Sequence, residues 1–177
     1  GYGGPSGVTP NDAGDADADA NHLQNYPEIV EVRNEGGNDR IFAKLNSTPN
    51  TTFRIEFFTN SAADSSGFGE GEIYLGSTTV TTDAAGNATT SFTYSGTLPY
   101  PNLSATATDL TTGDTSEFGP NLFNPLMVTT TADTIAADGV ISLREAITYA
   151  NVHPGVDTIT FNIPGSGVQT MNVTSGL

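Results

Sequence analysis

Four aspartates crowd the start of the chain: Asp12, Asp15, Asp17 and Asp19, in the run NDAGDADADAN that ends at Asn21. Three of them alternate with alanine, a spacing that can aim carboxylates at one ion. Calcium takes about six to eight oxygen ligands from carboxylates, carbonyls and waters. Asp12, Asp15, Asp17, Asp19 and Asn21 are therefore the candidate calcium ligands, with Asn11 as a further oxygen donor. An EF-hand is excluded, because Ala20 stands where its loop needs Gly and Tyr26 where it needs Glu. The competing reading is a solvated acidic linker, and the spacing leaves both open.

Other residues that do chemistry are sparse. His22 sits beside the acidic run, where it could ligate a transition metal, and its plainer reading is a loop histidine; His153 follows the helix and precedes Pro154, where it reads as a partner of the helix C-terminal dipole rather than a catalyst. Asp64, Glu70 and Glu72 lie close in sequence, and paired carboxylates serve glycosidases. In a sandwich loop such acids are ordinarily solvated. No nucleophile elbow is present. The Gly-rich GFGEG at 67–71 lacks the Lys-Ser/Thr of a phosphate loop. The chain reads as non-catalytic.

Bulk properties narrow the partners. There are 20 acidic residues against 5 basic ones, for a net charge of −15. That excludes nucleic acid, whose phosphates demand Lys and Arg, and favours multivalent cations. Without cysteine there is no disulfide, thiolate metal site or thiol nucleophile. No apolar run is long enough for membrane insertion.

The elements come next. Residues 1–26 form an Asp/Gly-rich loop or linker. Residues 27–119 hold short alternating β-prone runs divided by turn residues, among them EIVEVR, RIFAKLN and TTFRIEFFT. Phe53, Ile55 and Phe57 alternate, as do Ile73 and Leu75, so one face of each strand points inward. DAAGN between two such runs signals a hairpin. The fold class is all-β, an immunoglobulin-like antiparallel β-sandwich plus a C-terminal β-rich segment with one short helix. That segment, 120–177, carries the helix at 142–151, where Ser142 and Glu145 form a capping box. Leu143, Ala146, Ile147 and Ala150 give the helix an apolar face. Two terminal strands follow around PGSG.

Two stretches resemble known bacterial families. VTTTADTIAADGVISLREAITYAN looks like the CSLREA domain, through Ser142, Leu143, Arg144, Glu145 and Ala146; Ile141 stands in place of the family's Cys. The resemblance implies a helix that caps a right-handed parallel β-helix in a secreted or surface protein, with the residues after the helix as its first rungs. GVTPNDAGDADADANHLQNYPEI, LNSTPNTTFRIEFFTN, GEIYLGSTTVTTDAAGNAT and ATATDLTTGDTSEF carry a second resemblance, over nearly all of residues 7–118, to the β-sandwich module that accompanies such β-helices, with Ala62–Ala63 where that family often carries Cys. The resemblance implies extracellular architecture rather than catalysis.

A solenoid rung cannot bury its faces alone. Ile159, Phe161 and Ile163 alternate with little in this chain to cover them. A longer parent chain, a tail folded back on the sandwich, or a second chain adding a strand would each supply cover. The expectation is a secreted or cell-surface structural module, a homo-oligomer or filament built by strand addition through Thr158–Ile163 and Thr170–Val173. The alternative is the front of a β-helix protein that binds or cleaves polysaccharide.

Overall fold

Period-two alternation builds the sandwich. The computed structural model describes residues 7–16, 20–136, 138–152 and 156–174. β1 (Glu28–Glu35) and β2 (Asn38–Asn46) form a hairpin in which Gly36 and Gly37 make the turn, at φ 62° and 84°. These are the values of a type I′ turn, which needs both φ positive, a demand glycine meets at least cost. β3 (Thr52–Asn60), β4 (Ile73–Thr81), β5 (Asn87–Tyr94), β6 (Asn102–Asp109) and β7 (Leu122–Phe123) follow. One sheet runs β1-β2-β5 and the other β4-β3-β6-β7. Constant-type immunoglobulin domains place the fourth strand beside the fifth; here it lies beside the third. The sandwich sheet takes in β7, which the sequence assigns to the following segment.

The core fills the space between the sheets. Phe53, Ile55 and Phe57 from β3 meet Ile41, Ala43 and Leu45 from β2 and Leu103, Ala105 and Ala107 from β6. Each large side chain fully buried in this way contributes about 1.5–3 kcal/mol. Ile73 departs from the expected inward alternation: it is exposed, beyond a register shift at Phe57/Phe58.

DAAGN is not a hairpin within one sheet. β4 pairs with β3 while β5 pairs with β2, so the turn carries the chain across the sandwich. Asp83 holds it, its carboxylate accepting from Ala85 N–H at 2.8 Å and Asn87 N–H at 2.9 Å. After β6 the chain turns back and runs beside it. Ser116 N–H donates to Ala107 O at 2.8 Å and Gly119 N–H to Ala105 O at 2.9 Å, ahead of β7. β6 is consequently buried along its whole length.

The C-terminal segment is a small β-α-β unit. β8 (Met127–Val128) and β9 (Thr160–Phe161) pair in parallel, and α1 (Leu143–Val152) lies between them in sequence. Ser142 caps α1: its N–H donates to Glu145 Oε2 at 2.8 Å, and Glu145 N–H donates back to Ser142 Oγ at 3.2 Å. Of the expected apolar face only Ala146 is fully buried. Arg144 binds Asp133 through two parallel bonds, of 2.8 and 2.9 Å. The second expected strand does not form: Val168–Thr174 has no strand partner among the described residues, and a strand without one is not stable. That stretch is tied instead by Thr174, whose N–H and hydroxyl donate to Asp133 at 2.7 and 2.9 Å. No helix among the described residues is long and apolar enough to cross a membrane.

One close approach tests the packing. Gly76 (φ 145°) lies against Phe92, whose ring stacks on Phe57 with centroids 5.4 Å apart. A Cβ at Gly76 would sit 2.5 Å from Phe92 Cζ. Gly76→Ala should lower stability by about 1–3 kcal/mol, as overpacking does. Gly76→Ala/Phe92→Leu should recover part of it, the backbone strain remaining; thermal unfolding of both variants checks this.

Candidate functional site

The Asp-rich start of the chain is docked on one end of the sandwich by amide side chains acting as strand partners. Asn11 Nδ2 donates to Tyr26 O at 2.8 Å, and Asn11 Oδ1 accepts Tyr26 N–H at 2.9 Å. Asn25, nearly fully buried, does the same for Asp12: Oδ1 accepts its N–H at 3.1 Å and Nδ2 donates to its carbonyl at 2.6 Å. The same Nδ2 reaches Asn46 O at 2.9 Å. Gly14 N–H donates to Asn46 Oδ1 at 2.9 Å, and Thr9 N–H to Glu117 Oε2 at 2.7 Å. Gly, Asp and Ala make poor strands, so amides replace the ladder. Residues 7–16 are a strap on the sandwich surface.

Two of the expected ligands are visible, and each carboxylate is already engaged. Both Asp12 oxygens accept Ala16 N–H, at 3.2 and 3.0 Å. Asp15 Oδ1 accepts Asn25 N–H at 2.9 Å, and Oδ2 accepts the Ser47 hydroxyl at 3.1 Å. Asp17 and Asp19 lie outside the described residues, as does the side chain of Asn21. Among the described residues, no group of three or more His, Cys, Asp or Glu is arranged to hold a metal ion.

The topology adds acids that the run itself does not contain. A cleft of about 230 Å³ is lined by Asp15, His22, Thr48, Asp109, Thr112 and Asp114, among others. His22 Nδ1 and Asp114 Oδ2 lie 2.7 Å apart. The Thr112 hydroxyl and His22 hold the Asp114 carboxyl below its ordinary value. Asp109 accepts Thr111 N–H at 2.6 Å, an Asx turn at the end of β6. Burial raises the Asp15 carboxyl; bonds from Asn25 and Ser47 oppose that, and Asp12 adds to it. Asp109 and Asp114 escape a reading of the run alone. The available signal was DLTTGD, a tight turn with an acid at each end.

The remaining acids serve loops. Glu72 accepts the Ser61 N–H at 2.8 Å and hydroxyl at 2.7 Å, bonds that lower its carboxyl. Asp64 accepts Ser66 N–H at 2.7 Å and is lowered likewise. They line an open cleft of about 450 Å³ with Glu70. Asp64 and Glu72 are each taken up as a turn partner.

Compared with known proteins, the chain matches no family model and no curated relative.

The strap carries a pH signature. The folded-state pKa of Asp15 is raised above the unfolded one, so its contribution to docking is full below the unfolded value. It is lost as pH rises through the folded value. Amide protection at Gly14 and Asn25 should therefore be greater in mild acid than at neutral pH, and Asp15→Asn should flatten the difference. Hydrogen exchange corrected for intrinsic rates reads both. Asn25→Ala should cost about 1–3 kcal/mol, the scale of buried polar groups left without a partner, and should expose residues 7–16 to protease.

Proposed function

We propose that the chain is a non-catalytic structural module of a secreted or surface-exposed bacterial assembly. It would serve a filament, matrix or adhesin, self-associate through its C-terminal β-segment, and be stiffened by calcium at the strap. The observation that carries this reading is the uncovered apolar surface of the β-α-β unit. Val156 is 95% exposed, Val152 71% and Phe161 53%, and Val168 just beyond β9 is 96% exposed, while Met127 and Val128 of β8 are fully buried, Met127 in the sandwich core. The backbone beyond β9 has no strand partner among the described residues. An open strand edge beside exposed apolar side chains is a template for strand addition.

One edge of β9 is already in use. Thr160 N–H donates to Leu126 O at 2.9 Å and Asn162 N–H to Val128 O at 2.8 Å, within the same chain. Association would therefore add to the outer edge of β9 rather than donate the strand whole. Calcium enters through the strap: Asp15, Asp109 and Asp114 line one cleft, and a cation relieves like charges brought together.

The parallel register of β8 and β9, with a helix between them, favours a second reading. Parallel pairs with a crossover are the unit from which solenoids and α/β sheets grow, and the CSLREA resemblance points the same way. The chain would then be the front of a β-helix protein that binds or cleaves polysaccharide. Retention of the chain on a polysaccharide column would support that reading over the first.

Light scattering in calcium and then in excess chelator tests the first. Large species in calcium that shrink on chelation, and that Phe161→Asp abolishes, are expected. A monomer in both conditions overturns the reading. Large species indifferent to chelator remove calcium from it and leave the assembly.

A further inference from the structure

Sheet edges expose unpaired backbone groups, and natural sheets blunt them with charge, proline, bulges or brevity. Among the described residues the sandwich has four edges: β1 and β5 in one sheet, β4 and β7 in the other. Two are blunted. β1 carries Glu28, Glu31, Arg33 and Glu35 and a register shift between Ile29 and Glu31. β7 is only two residues long. The β4 and β5 edges are less blunted: neither strand contains a charged residue or a proline, and β4 has only a register shift that leaves Leu75 unpaired near its start.

β5 pairs with β2 without a shift, but Arg40 sets a charge beside its middle, donating to Ser91 Oγ at 3.1 and 2.9 Å; β4 is the other such edge. Its one irregularity lies opposite Phe57/Phe58, and Gly76–Thr81 pairs with β3 in unbroken register. Thr82 N–H donates to Thr51 O at 3.0 Å. Antiparallel ladders alternate, so Val80 and Thr78 direct their backbone groups to β3, and Ser77, Thr79 and Thr81 direct theirs outward. The side chains of these three are exposed as well. Threonine pairs already join antiparallel neighbours in this fold: the hydroxyls of Thr52 and Thr81 lie 2.9 Å apart, as do those of Thr108 and Thr115.

Electrostatics selects the occupant. With a net charge of −15 two copies repel across most of their surfaces. An uncharged edge is where such molecules can meet, and the edge it matches is its own. We propose that β4 is a self-pairing edge: two copies align β4 antiparallel about a two-fold axis at Thr79, joining two four-stranded sheets into one. Thr79 then faces Thr79 of the second copy, and Ser77 faces Thr81. Together they exchange about six backbone hydrogen bonds. The flanking acids, Glu72 and Asp83, do not fall opposite their own counterparts in this register, so the contact brings no like charges face to face. The interface is isologous and closes as a dimer. A pairing this short buries less than the ~1,200–2,000 Å² of stable complexes, so the dimer depends on concentration. It uses no residue of the C-terminal segment and stands apart from that reading.

Sedimentation of the full chain over a concentration series, in chelator, tests it. The wild type should approach double the 18.3 kDa of one chain. Thr79→Lys sets two like charges opposite each other and should weaken the dimer at least about tenfold, with unchanged thermal unfolding of the monomer. Thr79→Pro removes an outward N–H that the fold does not use and should act alike; it decides the matter should the lysine variant unfold. A wild type that stays monomeric overturns the proposal. So does a dimer that both variants keep, or one that Phe161→Asp dissolves and Thr79→Lys does not.

Discussion

Phe53, Ile55 and Phe57 project from one face of β3 into the space between the sheets, and none of the three retains solvent exposure. β3 lies between β4 and β6, so its burial fixes the register of both. Across the gap, Phe92 of β5 stacks on Phe57, and Gly76 leaves the room it needs. That contact ties the two edge strands into one packed body. The strap, the clefts and the C-terminal unit are all placed by strand ends that this core positions.

The acidic character of the chain reads differently once the core is in place. Asp15, Asp64, Glu72, Asp83, Asp109 and Asp133 accept hydrogen bonds from turn or strap groups. In a fold with long loops and little regular structure between them, carboxylates satisfy backbone donors that no ladder reaches. The chemistry of these acids is therefore architectural first. A cation at the strap would act on an arrangement already held by hydrogen bonds.

Alternation made the sandwich legible, because Phe53, Ile55 and Phe57 leave no other face for β3 to bury. The helix was legible for a similar reason: Ser142 and Glu145 satisfy each other's donors whatever packs above them. DAAGN misled because the same turn chemistry serves a hairpin and a crossing between sheets; the choice rests with β2 and β3, distant in sequence. Asp109 and Asp114 were hidden in the same way, reaching Asp15 only through the topology. VQTMNVT carries a strand's alternation, yet pairing is a property of two segments, and no strand among the described residues pairs with it. Asp17 and Asp19 stand outside the described residues, and the calcium reading of the run rests on its spacing.

Among the described residues, sheet edges are left open. β9 presents an outer edge beside exposed valines and Phe161, and β4 presents an outer edge without charge. An assembly module needs surfaces of this kind. The direct measurement is hydrogen exchange on the wild-type chain, compared between dilute and concentrated solution. Protection that rises with concentration at 77–81 and 160–162, and stays level at 64–72, is the predicted result. Exchange that is the same everywhere at both concentrations would contradict the account, for then neither edge meets a partner.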